Sequence, residues 1–252
     1  MTPLSRRAEK RQDMVAEIKD RARAQLADGG AGELSLRAIA RDMRMSSAAI
    51  YRYFDSQSAL IDALCVDAYT SWSDAVEAAY EQHRDDDPTA QWWAIAQAAR
   101  QWALSSSEEF ALIFGTPIPG HHAVESATGP AAARAMHIFA GVYATAVLTG
   151  AADLRRCFIP EPVQFGELGR YLLSMSGSET ITDSDTQQLS KVAAVGNNAW
   201  ASILGFLITE LWGNLPRLIT NVDDLYHAHL CTVMVGMGFD PDTIPARRPR
   251  EE

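Results

Sequence analysis

A chain of 252 residues has room for one large domain, or for a small one joined to a larger one. Apolar residues make up 47% and charged residues 21%, near globular averages, which excludes a disordered or collagen-like chain. The net charge of −10 is uneven: residues 1–60 carry +3 and residues 61–252 carry −13. Either a local footprint for a polyanion on an acidic body or chance variation in surface charge fits that asymmetry. Cys65, Cys157 and Cys231 are too few, and odd in number, for a disulfide scaffold, and they fit a reducing cytosol. The first 30 residues hold no apolar core of a signal peptide. Ala135–Ala152 and Val192–Thr209 lack charge but are diluted by Gly, Thr, Asn or Ser, so both read as buried helices rather than membrane spans. The expectation is a soluble cytoplasmic protein.

Arg6, Arg7, Lys10 and Arg11 form a basic leader. Met14, Ile18, Ala22 and Leu26 then recur every four residues, which predicts a helix with one apolar stripe. Asp28-Gly29-Gly30 ends it. Ser35 can cap a second helix, in which Leu36, Ile39, Ala40 and Met43 give the i, i+3, i+4, i+7 face. After the short link Arg44-Met45-Ser46, a third helix is predicted over Ser47–Phe54. Its Ile50, Tyr53 and Phe54 turn broadly inward, and Ser47, Ala48, Tyr51 and Arg52 turn outward. Leu60, Ile61 and Leu64 begin a fourth helix. Two short helices joined by a tight turn and braced by a third make a helix-turn-helix. Small residues at the start of the third helix allow close approach to base edges, while Tyr51, Arg52 and Tyr53 suit phosphate contacts. The helix pattern alone fits an ordinary three-helix packing motif equally well.

The strings Leu34-Ser35-Leu36-Arg37-Ala38-Ile39-Ala40 and Met45-Ser46-Ser47-Ala48-Ala49-Ile50-Tyr51-Arg52-Tyr53-Phe54 resemble the DNA-binding region of the TetR family of bacterial repressors. The resemblance implies an all-α homodimer with one helix-turn-helix per subunit and a helical ligand-binding body. It places Ser46, Ser47, Ala48 and Tyr51 facing the groove, with Ser35, Arg37 and Tyr53 at the backbone or groove edge. Where the family usually carries Lys near the start of the fourth helix, this chain has Gln57, which removes a cation and keeps a hydrogen-bond donor.

From residue 61 onward the pattern predicts helices separated by loops. Arg84–Pro88 is an acidic break, and three consecutive aspartates there point in different directions, which disfavours a metal site. Trp92, Trp93, Ile95, Ala96, Ala99 and Trp102 mark a helix. Phe110–Gly120 ends another in a Pro/Gly loop. Pro130 is read as the start of a further helix through Met136, Phe139, Ala140, Tyr143 and Val147, broken by Pro160 and Pro162. A shorter helix over about 164–173, a Ser/Thr-rich loop over 175–185, and two long apolar helices over about 186–214 and 222–236 follow. A charged tail, 246–252, closes the chain. The expected domains are 1–60 for DNA and 61–245 for sensing and dimerisation.

Phe114-Gly115-Thr116-Pro117-Ile118-Pro119-Gly120 and Ala199-Trp200-Ala201-Ser202-Ile203-Leu204-Gly205 resemble the WHG-type C-terminal domain of that family, with Leu204 where its His is usual. Small residues at Gly196, Ala199 and Gly205 beside Trp200, Phe206 and Trp212 suit close helix approach, and the resemblance implies a dimer interface there, Ile203 included. Packing within one subunit is the competing reading of the same faces. Trp92, Trp93, Trp102 and Phe110 are candidates for a ligand cavity, as are Phe114, Met136, Phe139 and Tyr143, although each also fits plain core.

No GxSxG, HExxH or GxxxxGK[ST] string occurs, so no enzyme is expected. His121 and His122 are adjacent and cannot easily share a metal. His227 and Cys231 stand i, i+4 but show only two ligands, so neither a metal nor a cofactor is expected. The reading is a homodimeric repressor on a palindromic operator, released by a small, mostly apolar molecule. A helical interaction module without DNA binding is the alternative, and activation in place of repression remains open.

Overall fold

The computed structural model of the protein describes residues 6–29, 34–115, 118, 121, 125–159, 183–215 and 219–246. Among these residues the structure is helical, with a single isolated bridge pairing Ala152 and Phe239. The helices are α1 (Arg6–Gly29), α2 (Leu36–Asp42), α3 (Ser47–Ile50), α4 (Gln57–Gln82), α5 (Pro88–Ser105), α6 (Ser107–Phe114), α7 (Glu125–Thr149), α8 (Asp183–Leu211) and α9 (Val222–Gly236). The chain divides into two compact units. The first runs to Ser71 and takes in Ser106–Ala132; the second takes Trp72–Ser105 and the chain from Ala133 onward. Helix α4 therefore contributes its first half to one unit and its second half to the other.

The first unit is built on the expected stripe. Ile18 and Ala22 of α1 bury against Leu36, Ile39 and Ala40 of α2, Ile50 and Phe54, and Leu60, Ile61, Leu64 and Cys65 of α4. Met14 and Leu26 pack at its margin, as do Leu112, Ile113 and Ile118. Thus α6 and Ile118 belong to the N-terminal core, although the chain reaches them after α5. Continuity in sequence suggested the body for them; the packing of Leu112 and Ile113 against that core places them in the first unit.

The predicted third helix is shorter than its pattern. After Ile50 the backbone passes into tight turns, with Arg52 N–H bonding Ala49 O at 3.3 Å and Tyr53 N–H bonding Ile50 O at 2.9 Å. Phe54 still reaches the core, so the inward face survives the change.

Pro130 lies inside α7, in the part of that helix that belongs to the first unit, rather than at its start. It lies in the second turn, where its fixed φ suits the helix and only one backbone bond is forfeited. Helix α7 ends at Thr149, well before Pro160. Gly150 takes a left-handed φ of +81°, and Ala152 N–H returns to Ala146 O at 2.9 Å. That glycine exit is the termination signal the prolines were expected to supply. Helices predicted over 186–214 and 222–236 appear as α8 and α9. The short helix expected over 164–173 lies outside the described residues, as do most of the 175–185 loop and of the tail.

The polar centre of the second unit joins α5 to the closing helices. Arg100, the one charged residue of α5, donates to Glu210 through Nε at 2.9 Å and Nη2 at 2.6 Å, and to Asp223 at 2.8 Å. Its guanidinium also lies 4.7 Å from the Tyr226 ring centroid. Arg100 and Glu210 are both nearly buried. A buried charge is tolerable only when paired and hydrogen-bonded, as it is here.

Candidate functional site

Two of the three serines predicted to meet DNA, Ser35 and Ser46, also cap the helices that carry the reading face. Ser35 Oγ accepts from Ala38 N–H at 3.3 Å, and Ser46 Oγ accepts from Ala49 N–H at 3.2 Å. Each satisfies one of the otherwise orphaned donors at a helix start. Between α2 and α3 the turn is closed by Met45 N–H on Ala40 O at 2.8 Å. Arg44 holds the left-handed conformation this turn requires, at φ +54°. A side chain strains that conformation, by about 1–2 kcal/mol relative to the right-handed one.

Ile50 is fully buried and Phe54 nearly so, which fixes the rotation of α3. Ser46, Ser47, Ala48, Tyr51 and Arg52 are therefore exposed together, with Tyr51 at 41%. Arg37 is exposed on α2, Gln57 is exposed as the first residue of α4, and Ser35 is half-buried. Tyr53 is half-buried, and the Arg11 guanidinium of α1 lies 5.9 Å from its ring centroid. The outer surface of α3 is thus a short run of small side chains flanked by an exposed aromatic hydroxyl and an arginine. That shape admits close approach to base edges, and its flanks suit phosphates.

Ion pairs brace this head from behind. Lys19 and Arg23 of α1 each meet Asp67 of α4 at 2.8 Å, and Arg23 also reaches Glu109 of α6 at 3.5 Å. His121 belongs here too. Its Nδ1 lies 2.9 Å from Ser58 Oγ and its Nε2 lies 3.5 Å from Asp62, both one turn apart on α4. Burial and the nearby Asp62 carboxylate push the Cys65 thiol up to about 11, so it is an inert core residue. His122 lies outside the described residues.

The second unit encloses a cavity of about 30 Å³ between α5, α7 and α8. Trp92, Met136, Phe139 and Tyr143, four of the eight ligand candidates, line it. Ala140, Val192, Ala193 and Asn197 complete it from positions that sequence reasoning did not single out. Gly196, Trp200 and Ile203 line it as well, although they were expected at a dimer interface. Trp200 stacks on Trp72 and Phe139 at centroid distances of 5.2 and 5.7 Å, and Ile203 is fully buried. These residues turn inward because α8 is apolar on more than one face. Among the described residues no charged side chain lines the cavity. Tyr143 donates its hydroxyl to Met237 O at 2.8 Å, and desolvation holds that phenol protonated.

The remaining ligand candidates fall elsewhere. Trp93 meets His227 edge-on at 4.9 Å, and Trp102 is buried on α5 and does not line this cavity. Phe110 and Phe114 lie in the first unit, where Phe114 meets Tyr69 edge-on at 6.0 Å. Of the other interface candidates, Ala199 is buried and Phe206 packs on Tyr226 and His229. Gly205 and Trp212 are exposed. Among the described residues no group of three or more His, Cys, Asp or Glu side chains could hold a metal.

A serine-capped helix pair, a tight turn and an exposed small-residue face define a helix-turn-helix DNA-binding head. Comparison with known proteins agrees. Residues 18–64 match the bacterial regulatory proteins of the tetR family, and residues 92–233 match the tetracyclin repressor-like C-terminal domain. HTH-type transcriptional regulators of Mycobacterium tuberculosis and Mycobacterium bovis are 38% identical over 215 residues, covering 83% of this chain and 86% of theirs. A regulatory protein of known crystal structure superposes with a TM-score of 0.68 at 30% identity, over 93% of this chain and 100% of its own. A tetR-family regulatory protein from Rhodococcus RHA1 shares the fold, with a TM-score of 0.58 at 14% identity over 90% of this chain and 97% of its own. The chain belongs to the TetR family of transcriptional regulators, which is not an enzyme family.

Proposed function

We infer that this protein is a homodimeric repressor that holds a palindromic operator and lets it go when a small, mostly apolar molecule enters the second unit. The observation that carries this reading is the uncharged aromatic cavity enclosed in the same chain as the exposed DNA-reading face. At about 30 Å³ the cavity holds roughly one water, whereas ligand pockets run to ~300–1,000 Å³. A ligand must therefore spread α5, α7 and α8 to enter. It binds a widened state in preference to the closed one, and such differential affinity is what shifts a conformational equilibrium. The unoccupied, closed state is the DNA-binding state in this scheme. Family members are normally cytoplasmic, and the same compartment is inferred here.

Dimerisation is supported by the outer face of α8 and α9. Ala201, Ser202 and Gly205 are exposed on one helix, and Ala228, Thr232, Val235 and Gly236 on the other. None is charged, and all are small enough for close helix approach. A groove of about 290 Å³ runs between these helices, with Phe158 at its rim 90% exposed. Symmetric pairing on such a face presents two reading heads to a two-fold operator, with half-sites ~34–36 Å apart or a multiple of that. At Gly205 an added Cβ meets nothing within 4 Å in the protomer. Gly205→Glu should thus leave the fold intact and yield a monomer by sedimentation; a variant that stays dimeric removes this interface.

The experiment for the switch is a tryptophan-fluorescence titration with a panel of uncharged apolar compounds, run with and without an operator selected from random-sequence DNA. For a coupling of ~1–3 kcal/mol, operator should weaken the ligand, and ligand the operator, by the same 5–150-fold. A compound that relieves repression in cells but binds equally well with and without operator refutes the mechanism.

A further inference from the structure

The basic leader remains unused by the helix-turn-helix itself, and its geometry gives it a task. Successive residues of a helix turn by roughly 100°, so residues at i, i+3, i+4 and i+7 share one side. Arg7, Lys10 and Arg11 therefore lie on the same stripe of α1 as Met14, which packs on the head's core, and Ile18, which is buried in it. Glu9 and Asp13 fall on the opposite side. All three cations are exposed. Of the cations farther along α1, Lys19 is engaged with Asp67 and Arg23 with Asp20, Asp67 and Glu109, while Arg21 is exposed. Exposed cations are thus densest in the first two turns, with Arg6, Arg7, Lys10 and Arg11, beyond the point where the stripe enters the core. Arg7 precedes Met14 by seven residues, ~10 Å along the axis.

Arg11 fixes where that overhang lies. Its guanidinium is within cation–π range of the Tyr53 ring, which follows the recognition helix by a few residues. A guanidinium resting on an aromatic face keeps its fork of donors free for an anion, and that fork matches phosphate oxygens. We propose that Arg7, Lys10 and Arg11 form a second DNA-binding surface, a phosphodiester clamp beside the groove read by Ser47, Ala48 and Tyr51. The ligand is the sugar–phosphate backbone and not the bases. The clamp offsets the repulsion between an acidic body and DNA, and it fixes register without adding sequence preference.

This proposal rests on the head binding DNA, and its test separates the two. The full-length protein and its Arg7→Gln/Lys10→Gln/Arg11→Gln variant are compared on the duplex that the wild type enriches from a random-sequence library. A mixed-sequence duplex lacking the enriched motif serves beside it. Affinity is read by fluorescence anisotropy between 50 and 200 mM KCl, with thermal melting as the check on folding. Three lost phosphate contacts per subunit, six per dimer, should lower the slope of log affinity against log salt by about 5.4, so the wild type loses roughly 1,800-fold more affinity than the variant over that range. Both duplexes should weaken alike, the enriched motif should not change, and Arg11→Lys should retain the wild-type slope.

An unchanged slope, with the wild type binding its duplex, overturns the clamp and leaves the DNA-binding reading intact. A loss of affinity at constant slope also overturns it, since Arg11 then only props Tyr53. A changed motif makes these residues base readers and overturns it too. A wild type that enriches no sequence and binds neither duplex removes the DNA-binding reading and the clamp with it.

Discussion

The two units of this chain place their chemistry on opposite sides of their cores. In the first, the candidate site is the outside of a packed helix, and the core of Ile18, Ile39, Ile50 and Leu60 exists to aim it. In the second, the candidate site is a gap within the core, walled by Trp92, Phe139, Tyr143 and Trp200. An outer face works by staying rigid, because base edges are read by side chains held in register. An inner cavity of the proposed kind would work by yielding, because its ligand would enter only as helices part. The first unit should therefore tolerate stabilisation, whereas in the second unit packing and response are the same property.

The comparison can be broken most forcefully at Arg100. Glu210→Ala leaves a nearly buried guanidinium with only the exposed Asp223 and the Tyr226 ring. The second unit should lose about 3–5 kcal/mol, read by thermal or denaturant unfolding. Replacing the pair together, Arg100→Met with Glu210→Leu, should recover most of that loss. If the single variant melts like wild type, this cluster does not hold α5 to α8 and α9.

On the other side of the comparison, Tyr51→Ala removes an exposed side chain. Melting should not move, and operator affinity should fall by about 1–3 kcal/mol, or roughly 5–150-fold. Equal affinity in a gel shift would take Tyr51 off the DNA-reading surface. Gly196→Val tests the cavity in the same spirit. An added Cβ meets Tyr143 at 3.8 Å, an ordinary contact, and the further methyls enter the gap. Stability should change by less than about 1.5 kcal/mol and DNA binding should persist, while the response to apolar ligands is lost. A fully inducible Gly196→Val protein would move the ligand elsewhere.

The smallest expected effect lies in the turn between α2 and α3. Arg44→Gly relieves the left-handed strain at the cost of a looser unfolded chain, for a net gain of about 0.5–1 kcal/mol in the first unit. Differential scanning calorimetry can resolve it. A lower melting temperature would show that the Arg44 side chain contributes more than its backbone strain costs.

Some elements were legible early because their causes are local. Ser35 and Ser46 cap helices through backbone N–H groups three residues away, and the stripe Met14, Ile18, Ala22, Leu26 needs only one helix to be read. The exposed set Ser47, Ala48, Tyr51 and Arg52 follows from where Ile50 must point. The end of α7 was also written locally, in Gly150, but Pro160 and Pro162 were the louder signal. Arg100 and Glu210 left a trace as well: each is an isolated charge in an apolar stretch, which is how a buried ion pair looks before it is paired.

Helix identity, capping, the helix-turn-helix and its outward face were determined by the sequence alone, since each depends on residues within a turn or two of one another. Tertiary structure alone decided that α6 joins the N-terminal core. It also decided that Gly196, Trp200 and Ile203 face a cavity while Ala201, Ser202 and Gly205 face outward, and that Arg100 finds a partner 110 residues away. Helix α8 is apolar over so much of its circumference that its periodicity names no unique inner face. Which side is buried depends on where α5, α7 and α9 lie around it, and no window of sequence shorter than the fold contains that information.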